Sequence, residues 1–261
     1  MTTSDFLAAY DRQLRTDAET PSAVNVERLG PLRLVTFAGG RGFVTYQDLA
    51  GADEVTIAGW VAEAVAFYRS DPEILRVEWK TRGHDHAPGL HEALLQNGFE
   101  AEEAESVMIG AASALDADVE LPPGVALRQV SGEEDIRAMC AMQDEVFGNP
   151  SSDGHAEAIL RRMARNDGMQ LWVAEHQGVI VSAGRLEPVP DTEFAGIWGG
   201  ATLQKWRGRG IYRAVTAARA RAARTLGKTL IHSDSTEYSR PILERYGLVR
   251  VTTTTPYLWR R

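Results

Sequence analysis

One glycine-rich turn restricts what this chain can fold into more than any other stretch. The turn, residues 207–210 (Arg-Gly-Arg-Gly), lies between an apolar run at 194–203 and a long segment rich in alanine and arginine, 211–226. A strand, a short glycine turn and a helix together present the free N–H groups of the first helical turn, and the helix dipole favours negative charge there. Gly208 and Gly210 carry no Cβ atom, so a ligand can approach the backbone closely. The stretch therefore predicts an anion-binding site.

The side chains around the turn narrow the anion to phosphate. Arg207, Arg209 and Arg213 supply charge-assisted donors that suit phosphate oxygens. The phosphate loop of nucleotide hydrolases has four residues between its glycines and then Lys and Ser or Thr, whereas here one residue separates the glycines and Ile-Tyr follows. The dinucleotide fingerprint has three glycines early in a βαβ unit, and this turn comes late in the chain. A diphosphate that is not itself cleaved is a good candidate for the ligand.

The turn resembles the acetyl-CoA loop of the GCN5-related N-acetyltransferases (the GNAT superfamily), whose signature is Arg/Gln-x-x-Gly-x-Gly/Ala. Residues 207–212 fit every position but the last, where Tyr212 replaces Gly or Ala. Residues 239–248 resemble the closing helix of the family, which usually ends in Leu-Gly-Phe. The two motifs together cover roughly Val125 to Arg261. The resemblance implies that acetyl-CoA, as cosubstrate, binds these residues: Gly200, Thr202, Arg207, Gly208, Arg209, Gly210, Ile211, Tyr212 and Arg213.

Gly200 and Thr202 enter this set through the strand before the turn. In the family, two neighbouring strands splay apart in a V, and the pantetheine arm of the cofactor enters between them. By resemblance, Gly200 and Thr202 present backbone groups to that arm. The small residues at 199–201 fit a place where a ligand runs along the backbone.

The first half of the chain echoes the second. Residues 90–99 and 242–248 each read as a helix that stops at glycine and leads into a final strand, which indicates an internal duplication. The segment 48–56 contains only Gly51, so the first module is predicted to be degenerate and to lack an acetyl-CoA site. The alternative is two unrelated α/β pieces that share a helix-stop pattern. The predicted fold is α/β, with tandem GNAT-like modules at 1–115 and 125–261, a linker at 116–124, and in each module a mixed, mostly antiparallel central sheet flanked by helices.

The helix after the turn is predicted to bury one face. Its apolar stripe consists of Ile211, Val215, Ala218, Ala222 and Leu226. Arg219, Arg221 and Arg224 then lie on a solvated outer face, where cations late in a helix suit its dipole. A nucleic-acid site is the alternative explanation of these arginines, but the net charge of −8 opposes it.

Acyl transfer to an amine requires a held thioester, a deprotonated amine and donors for the developing oxyanion. Glu193 begins the strand that leads to the turn, and His232 and Asp234 alternate on the next strand, so both point to one face of the sheet. A His–Asp pair can relay a proton or can simply hold a strand in place. Two further carboxylates are weaker candidates for the base: Asp191 and Glu237.

The acid that protonates the departing thiolate is harder to place. The family usually has a Tyr four residues before the closing glycine, and this position is Leu243 here. Tyr238, which precedes the helix, is the first substitute, and Tyr246 is the second because it points about 60° away from the face of Leu243. Both tyrosines also fit a structural role.

The remaining composition bounds the class of protein. Its one cysteine, Cys140, excludes an internal disulfide and a cysteine-rich metal site, and its inner-face position predicts a buried apolar residue rather than a nucleophile. No apolar run approaches the roughly 20 residues of a membrane helix, and residues 1–5 lack the start of a signal peptide. Residues 148–153 read as a loop between two helices. We expect a cytoplasmic monomer or homodimer without a metal, nucleic-acid or membrane partner.

Together these features predict a GNAT-type N-acetyltransferase. It would move an acetyl, or another short acyl, group from acetyl-CoA to a primary amine of an unknown small molecule. The alternative is a non-catalytic protein that binds or senses acyl-CoA, and two departures from the family pattern favour it: Tyr212 and Leu243.

Overall fold

The computed structural model describes residues 1–150 and 153–261. The first 115 residues form α1 (Thr3–Gln13), β1 (Asn25–Leu29), β2 (Leu32–Phe37), β3 (Arg41–Thr45), α2 (Glu54–Ser70), β4 (Arg76–Arg82), α3 (Leu90–Gln96), β5 (Glu100–Ala101), β6 (Glu105–Ala111) and α4 (Ala112–Leu115). Next come β7 (Val125–Val130), α5 (Glu133–Phe147), α6 (Asp153–Met163), β8 (Gln170–His176), β9 (Val179–Pro188) and β10 (Phe194–Thr202). The chain ends with α7 (Ile211–Thr225), β11 (Leu230–Ser235), α8 (Arg240–Arg245) and β12 (Val249–Arg260). The loop predicted at 148–153 includes residues 151 and 152, which lie outside the described residues.

The chain divides into two compact units that are not contiguous in sequence. The first unit consists of Met1–Met108, Asp234–Pro241 and Arg250–Arg261, and the second consists of Ile109–Ser233 and Ile242–Val249. Almost all of β12 therefore belongs to the first unit, although it is the last strand of the chain. The module boundaries expected at 1–115 and 125–261 stay a prediction.

The first unit is built on the strand order β1-β2-β3-β4-β12, with β5 paired to β12. β3 and β4 are parallel, and the other neighbours in this order are antiparallel. Parallel neighbours need a crossover connection, and α2 provides it. One face of α2 is buried in a core that includes Val61, Tyr68 and, from β4, Trp79.

The second unit has the strand order β11-β10-β9-β8-β7. β10 and β11 are parallel, and the other neighbours are antiparallel. The core joins apolar side chains of the sheet to those of α5 and α7, such as Ile136, Leu171, Val181 and Val215. This core fixes both helices relative to β9 and β10, the strands that lead to the predicted site.

Cys140 is buried on α5, as predicted, and is 1% exposed. Burial, with a smaller contribution from Asp144, raises the pKa of its thiol to about 11. Among the described residues, no three His, Cys, Asp or Glu side chains could together hold a metal ion. No helix in the same part of the chain combines the length and apolar character needed to cross a membrane.

Candidate active site

The glycine turn leads directly into the N-terminus of α7. After β10 the chain makes one 3-10 turn (Gln204–Trp206) and then reaches the two glycines. Gly208 has φ +73° and Gly210 has φ +80°, both in the left-handed region that glycine enters at little cost. Gly210 is the N-cap of α7, and among the described residues no side chain caps this helix end. The N–H groups of the first turn are thus open to a ligand.

Space beside the two glycines fits an anion. A Cβ atom built at Gly208 would meet no atom within 4 Å, so only its φ angle demands glycine. A Cβ at Gly210 would lie 3.6 Å from Val119 Cγ1 and 3.8 Å from the carbonyl oxygen of Glu120. The segment predicted as a linker therefore forms one wall of the turn. An uncapped helix end, left-handed glycines and free space together suit a diphosphate.

The three arginines of the turn have defined partners. Arg207 Nε donates to the carbonyl oxygen of Thr202 at 3.0 Å. The guanidinium of Arg209 lies 5.0 Å from the ring centre of Trp206, and that of Arg213 lies 5.1 Å from the ring centre of Tyr246. A guanidinium has five N–H donors, so these contacts orient the side chains and leave donors for phosphate oxygens.

β10 separates from its parallel neighbour before it reaches the turn. The ladder pairs Phe194 with Leu230, Ala195 with Ile231 and Gly196 with His232. In the described residues no further pair joins the two strands, although β10 continues to Thr202. The backbone groups of β10 beyond Gly196 on that side can therefore bond an extended ligand.

A bulge interrupts β10 on its other side, against β9. Trp198 pairs with Arg185 and Ala201 pairs with Ala183, so two glycines of β10 lie opposite one residue of β9. Gly199 has φ +60°, and its carbonyl oxygen accepts a hydrogen bond of 2.6 Å from Gln143 Nε2 on α5. The sequence predicted a special role for the small residues here, but it did not identify Gln143 as their support.

Tyr212 and Gly200 complement each other in shape. A Cβ atom at Gly200 would lie 2.8 Å from Cε2 of the Tyr212 ring. The absence of a side chain at Gly200 is therefore matched to the one residue that departs from the acetyl-CoA signature. Thr202 is buried, and its hydroxyl lies 2.8 Å from that of Ser182.

Arg219 is not on the outer face of α7, so this prediction was wrong. Arg219 is 1% exposed, and its guanidinium donates to the carbonyl oxygens of Val215 at 3.2 Å and Arg185 at 3.3 Å. Burial lowers the pKa of Arg219, and nearby Tyr212 offsets only part of this effect. A Cβ at Gly184 would lie 2.6 Å from Arg219 Cζ. The missing side chain of Gly184 makes room for the arginine.

The alanines of α7 explain why the stripe was misplaced. Ala214, Ala217, Ala220 and Ala223 are all buried, whereas Leu226 is 43% exposed. Small side chains let the helix approach the sheet closely, so the buried arc is wider than a stripe of large apolar residues would give.

Of the predicted bases, Glu193 lies away from the bulge, whereas the ring of His232 lies against Trp198, the residue at which the bulge begins. Glu193 lies just before β10, and its carbonyl oxygen accepts hydrogen bonds from the amides of Thr229 and Leu230. Six residues of extended chain, about 20 Å, separate Glu193 from Gly199. The ring of His232 packs edge-on against Trp198, with 5.2 Å between centroids, and against Phe194 at 5.8 Å.

Asp234 and Tyr238 belong to the first unit. Asp234 Oδ2 accepts a hydrogen bond of 2.6 Å from Lys80 Nζ. Burial alone would lower the pKa of Lys80, but the Asp234 carboxylate outweighs it and raises the pKa above its ordinary value. Tyr238 is 80% exposed, and Leu243, at the usual position of the family's tyrosine, is buried.

Comparison with known proteins gives one family match. Residues 136–248 match the model of the acetyltransferase (GNAT) family. No curated protein matches the sequence significantly.

Three solved structures are similar over nearly the whole chain. A GCN5-related N-acetyltransferase from Kribbella flavida is 17% identical, with a TM-score of 0.66 and coverage of 98% of this chain and 93% of that chain. A functionally unknown conserved protein from Staphylococcus epidermidis ATCC 12228 is 13% identical, with a TM-score of 0.68 and coverage of 94% and 98%. A tandem GNAT protein from the clavulanic acid biosynthesis pathway is 12% identical, with a TM-score of 0.65 and coverage of 100% and 97%. At these identities the likeness shows the fold.

Proposed function

We propose that the protein binds acetyl-CoA at the glycine turn and transfers the acetyl group to a primary amine of a small molecule. The match of residues 136–248 to the acetyltransferase (GNAT) family model supports this proposal. One observation carries the proposal. The N-terminus of α7 is uncapped behind two left-handed glycines, at the end of a strand that has left its parallel neighbour.

Different residues of the second unit bind different parts of acetyl-CoA. The first-turn N–H groups of α7, with Arg207, Arg209 and Arg213, bind the diphosphate. The free edge of β10, including Gly200 and Thr202, bonds the pantetheine arm. Acetyl-CoA supplies an activated thioester, and the bulge holds backbone groups in a fixed arrangement beside it.

A non-catalytic protein that binds acyl-CoA is the second candidate. It is favoured by Leu243, which is buried where the family usually has a tyrosine, and by the exposure of Tyr238. Both candidates require the same cofactor site, and release of free CoA in the presence of amines distinguishes them.

Calorimetric titration of acetyl-CoA into the wild type and Gly210→Glu tests the site. The substitution puts a negative charge at the N-terminus of α7, so we expect micromolar binding by the wild type and a loss of roughly tenfold or more in the variant. Gly227→Glu is the matched control. Gly227 follows the same helix, has φ +76° and has no atom within 4 Å of an added Cβ, so it suffers the same backbone strain at the other end of α7.

Gly227→Glu should bind acetyl-CoA as the wild type does. Equal affinity of Gly210→Glu and the wild type for acetyl-CoA would show that the cofactor does not bind at the glycine turn. A folded wild type that does not bind acetyl-CoA at all would refute the proposed function.

A further inference from the structure

A carboxylate and an imidazole meet near the bulge of β10, and neither belongs to the set of residues described above. Asp144 lies near the end of α5, and His155 lies near the start of α6. His155 Nδ1 is 3.0 Å from Asp144 Oδ1. The side chain of Asp144 is 6% exposed, and that of His155 is 30% exposed. The pair therefore has one buried end and one end that a ligand can reach.

Asp144 determines which ring nitrogen of His155 carries the proton. An ionised carboxylate only accepts hydrogen bonds, so the neutral imidazole carries its proton on Nδ1, the atom that faces Asp144. The lone pair is then on Nε2. A histidine oriented in this way by a carboxylate can take a proton from a nucleophile.

α5 places this pair beside the bulge. The side chain of Gln143 donates to the carbonyl oxygen of Gly199 in the bulge. Asp144 is the next residue on α5, and its Cα atom lies about 3.8 Å from that of Gln143. Asp144 also lies one helical turn after Cys140 on the buried side of α5. A Cβ at Gly199 would lie 3.7 Å from Arg185 Nη1.

We infer that Asp144 and His155 form the site for the acceptor amine, with His155 as the proton acceptor and Asp144 as the residue that positions it. This inference rests on the proposed function. As the nitrogen of a neutral primary amine bonds to the acyl carbon, His155 Nε2 takes the proton that the nitrogen loses. The carbon–sulfur bond breaks, its electron pair leaves with the sulfur, and the thiolate takes up that proton. One amide and one thiol result, so atoms and charges balance.

The test compares release of CoA thiol from acetyl-CoA in the wild type, His155→Gln and Asp144→Asn. Ethanolamine, lysine and spermidine serve as the amines, and affinity for acetyl-CoA is titrated in parallel. We expect His155→Gln to lower kcat about 100-fold or more, the usual size of a proton-transfer contribution, with unchanged acetyl-CoA affinity. His91→Gln is the control, because His91 bonds a hydroxyl, that of Tyr257, at 2.7 Å in the first unit. It should keep full activity.

The nitrogen NMR shifts of His155 test the positioning role of Asp144 independently of turnover. In the neutral imidazole of the wild type we expect the proton on Nδ1 and a lone pair on Nε2. Asp144→Asn should allow the proton to move to Nε2, with a matching drop in kcat of about tenfold or more. A proton on Nε2 in the wild type would overturn the inference.

The remaining outcomes separate this inference from the proposed function. If His155→Gln turns over amines as fast as the wild type, the inference is wrong and the proposed function stands. If the wild type binds acetyl-CoA but releases no CoA with any of the three amines, the inference is also overturned. This result would favour a non-catalytic protein that binds acyl-CoA. If the folded wild type does not bind acetyl-CoA, the proposed function itself fails.

Discussion

Arg219 is a buried cation whose partners are mostly carbonyl oxygens. Its guanidinium contacts the backbone of β9 at Arg185 and, at 3.5 Å, that of β10 at Trp198. These two residues are paired in the ladder directly before the bulge. Arg219 therefore connects α7, whose N-terminus forms the proposed phosphate site, to the strand pair that carries the bulge.

Arg219→Met should weaken binding of acetyl-CoA about tenfold and lower the free energy of unfolding by about 2 kcal/mol. The buried carbonyl oxygens lose their donors, and each such loss costs roughly 1–3 kcal/mol. Urea unfolding and calorimetry measure the two effects. Arg219→Lys keeps the charge but not the planar fork, and we expect it to behave like the Met variant. Wild-type affinity in both variants would show that the bulge does not depend on this side chain.

At the scale of elements, much of the secondary structure was predictable. β2 (Leu32–Phe37) and β7 (Val125–Val130) are short runs rich in apolar residues, and α5 ends at Phe147 because Gly148 follows with φ +70°. These are local signals of period, propensity and turn chemistry. The position of Arg219 was not predictable in the same way, because burial of an arginine depends on the fit of α7 against Gly184 in β9.

The same limit applies to the candidate site. The glycine turn was visible because one short stretch carries it. Asp144 and His155 are eleven positions apart on two helices, so only tertiary packing brings them together. The predicted roles of Glu193 and Asp234 came from their strands alone, which do not reveal the other partners, such as Lys80.

The segment predicted as a linker is fixed to α7 by an ion-pair cluster. The side chain of Asp116 is 9% exposed and accepts hydrogen bonds from Arg221, at 2.8 Å, and Arg224. Burial alone would raise the pKa of Asp116, but the bonds from Arg224 and Arg221 lower it below its ordinary value. Because Val119 lies beside Gly210, this cluster also holds one wall of the glycine turn.

Asp116→Ala should increase amide hydrogen exchange in residues 117–122 about tenfold at pH 7, since two charge-assisted contacts are lost. Asp118→Ala is the matched control, because the Asp118 side chain is fully exposed and bonds Arg221 at 3.2 Å. Because the pKa of Asp116 is lower in the folded than in the unfolded state, its carboxylate stabilises the fold fully above the unfolded pKa of about 3.9. This stabilisation is lost as the pH falls through the folded-state pKa. The difference between wild type and Asp116→Ala should therefore shrink below about pH 4. Equal exchange in both alanine variants at pH 7 would contradict the role of Asp116.

At the scale of the whole molecule, the predicted fold class is correct. The tandem GNAT-like α/β fold was predicted from two motifs and an internal repeat, and it is confirmed by the similar solved structures. Residues 136–248 also match the acetyltransferase (GNAT) family model. The assignment of β12 to the first unit was not predicted, because a linear boundary assumes that each module keeps its own terminal strand. Which strand pairs with β4 is a question of register and shape, and both are non-local.

Deletion of residues 249–261 should destabilise the first unit even though it removes the end of the chain. β12 pairs with β4 at seven positions, from Thr254 with Arg82 to Arg260 with Arg76. Trp259, which is buried in the core of the first unit, is lost too, and loss of one such aromatic side chain typically costs about 3–5 kcal/mol. Hydrogen exchange of the β4 amides should therefore become at least 100-fold faster in the truncated protein.

Two internal comparisons make this measurement specific. Amides of β8, which lies in the second unit between β7 and β9, should keep their protection in the truncated protein. A peptide of residues 249–261 added in trans should restore protection to β4, because it returns the ladder partner and the buried indole of Trp259. Undiminished protection of β4 after truncation would mean that the first unit folds without its last strand, as the linear boundary at residue 115 implies. Protection lost and then regained with the peptide would establish that the first unit is completed by the end of the chain.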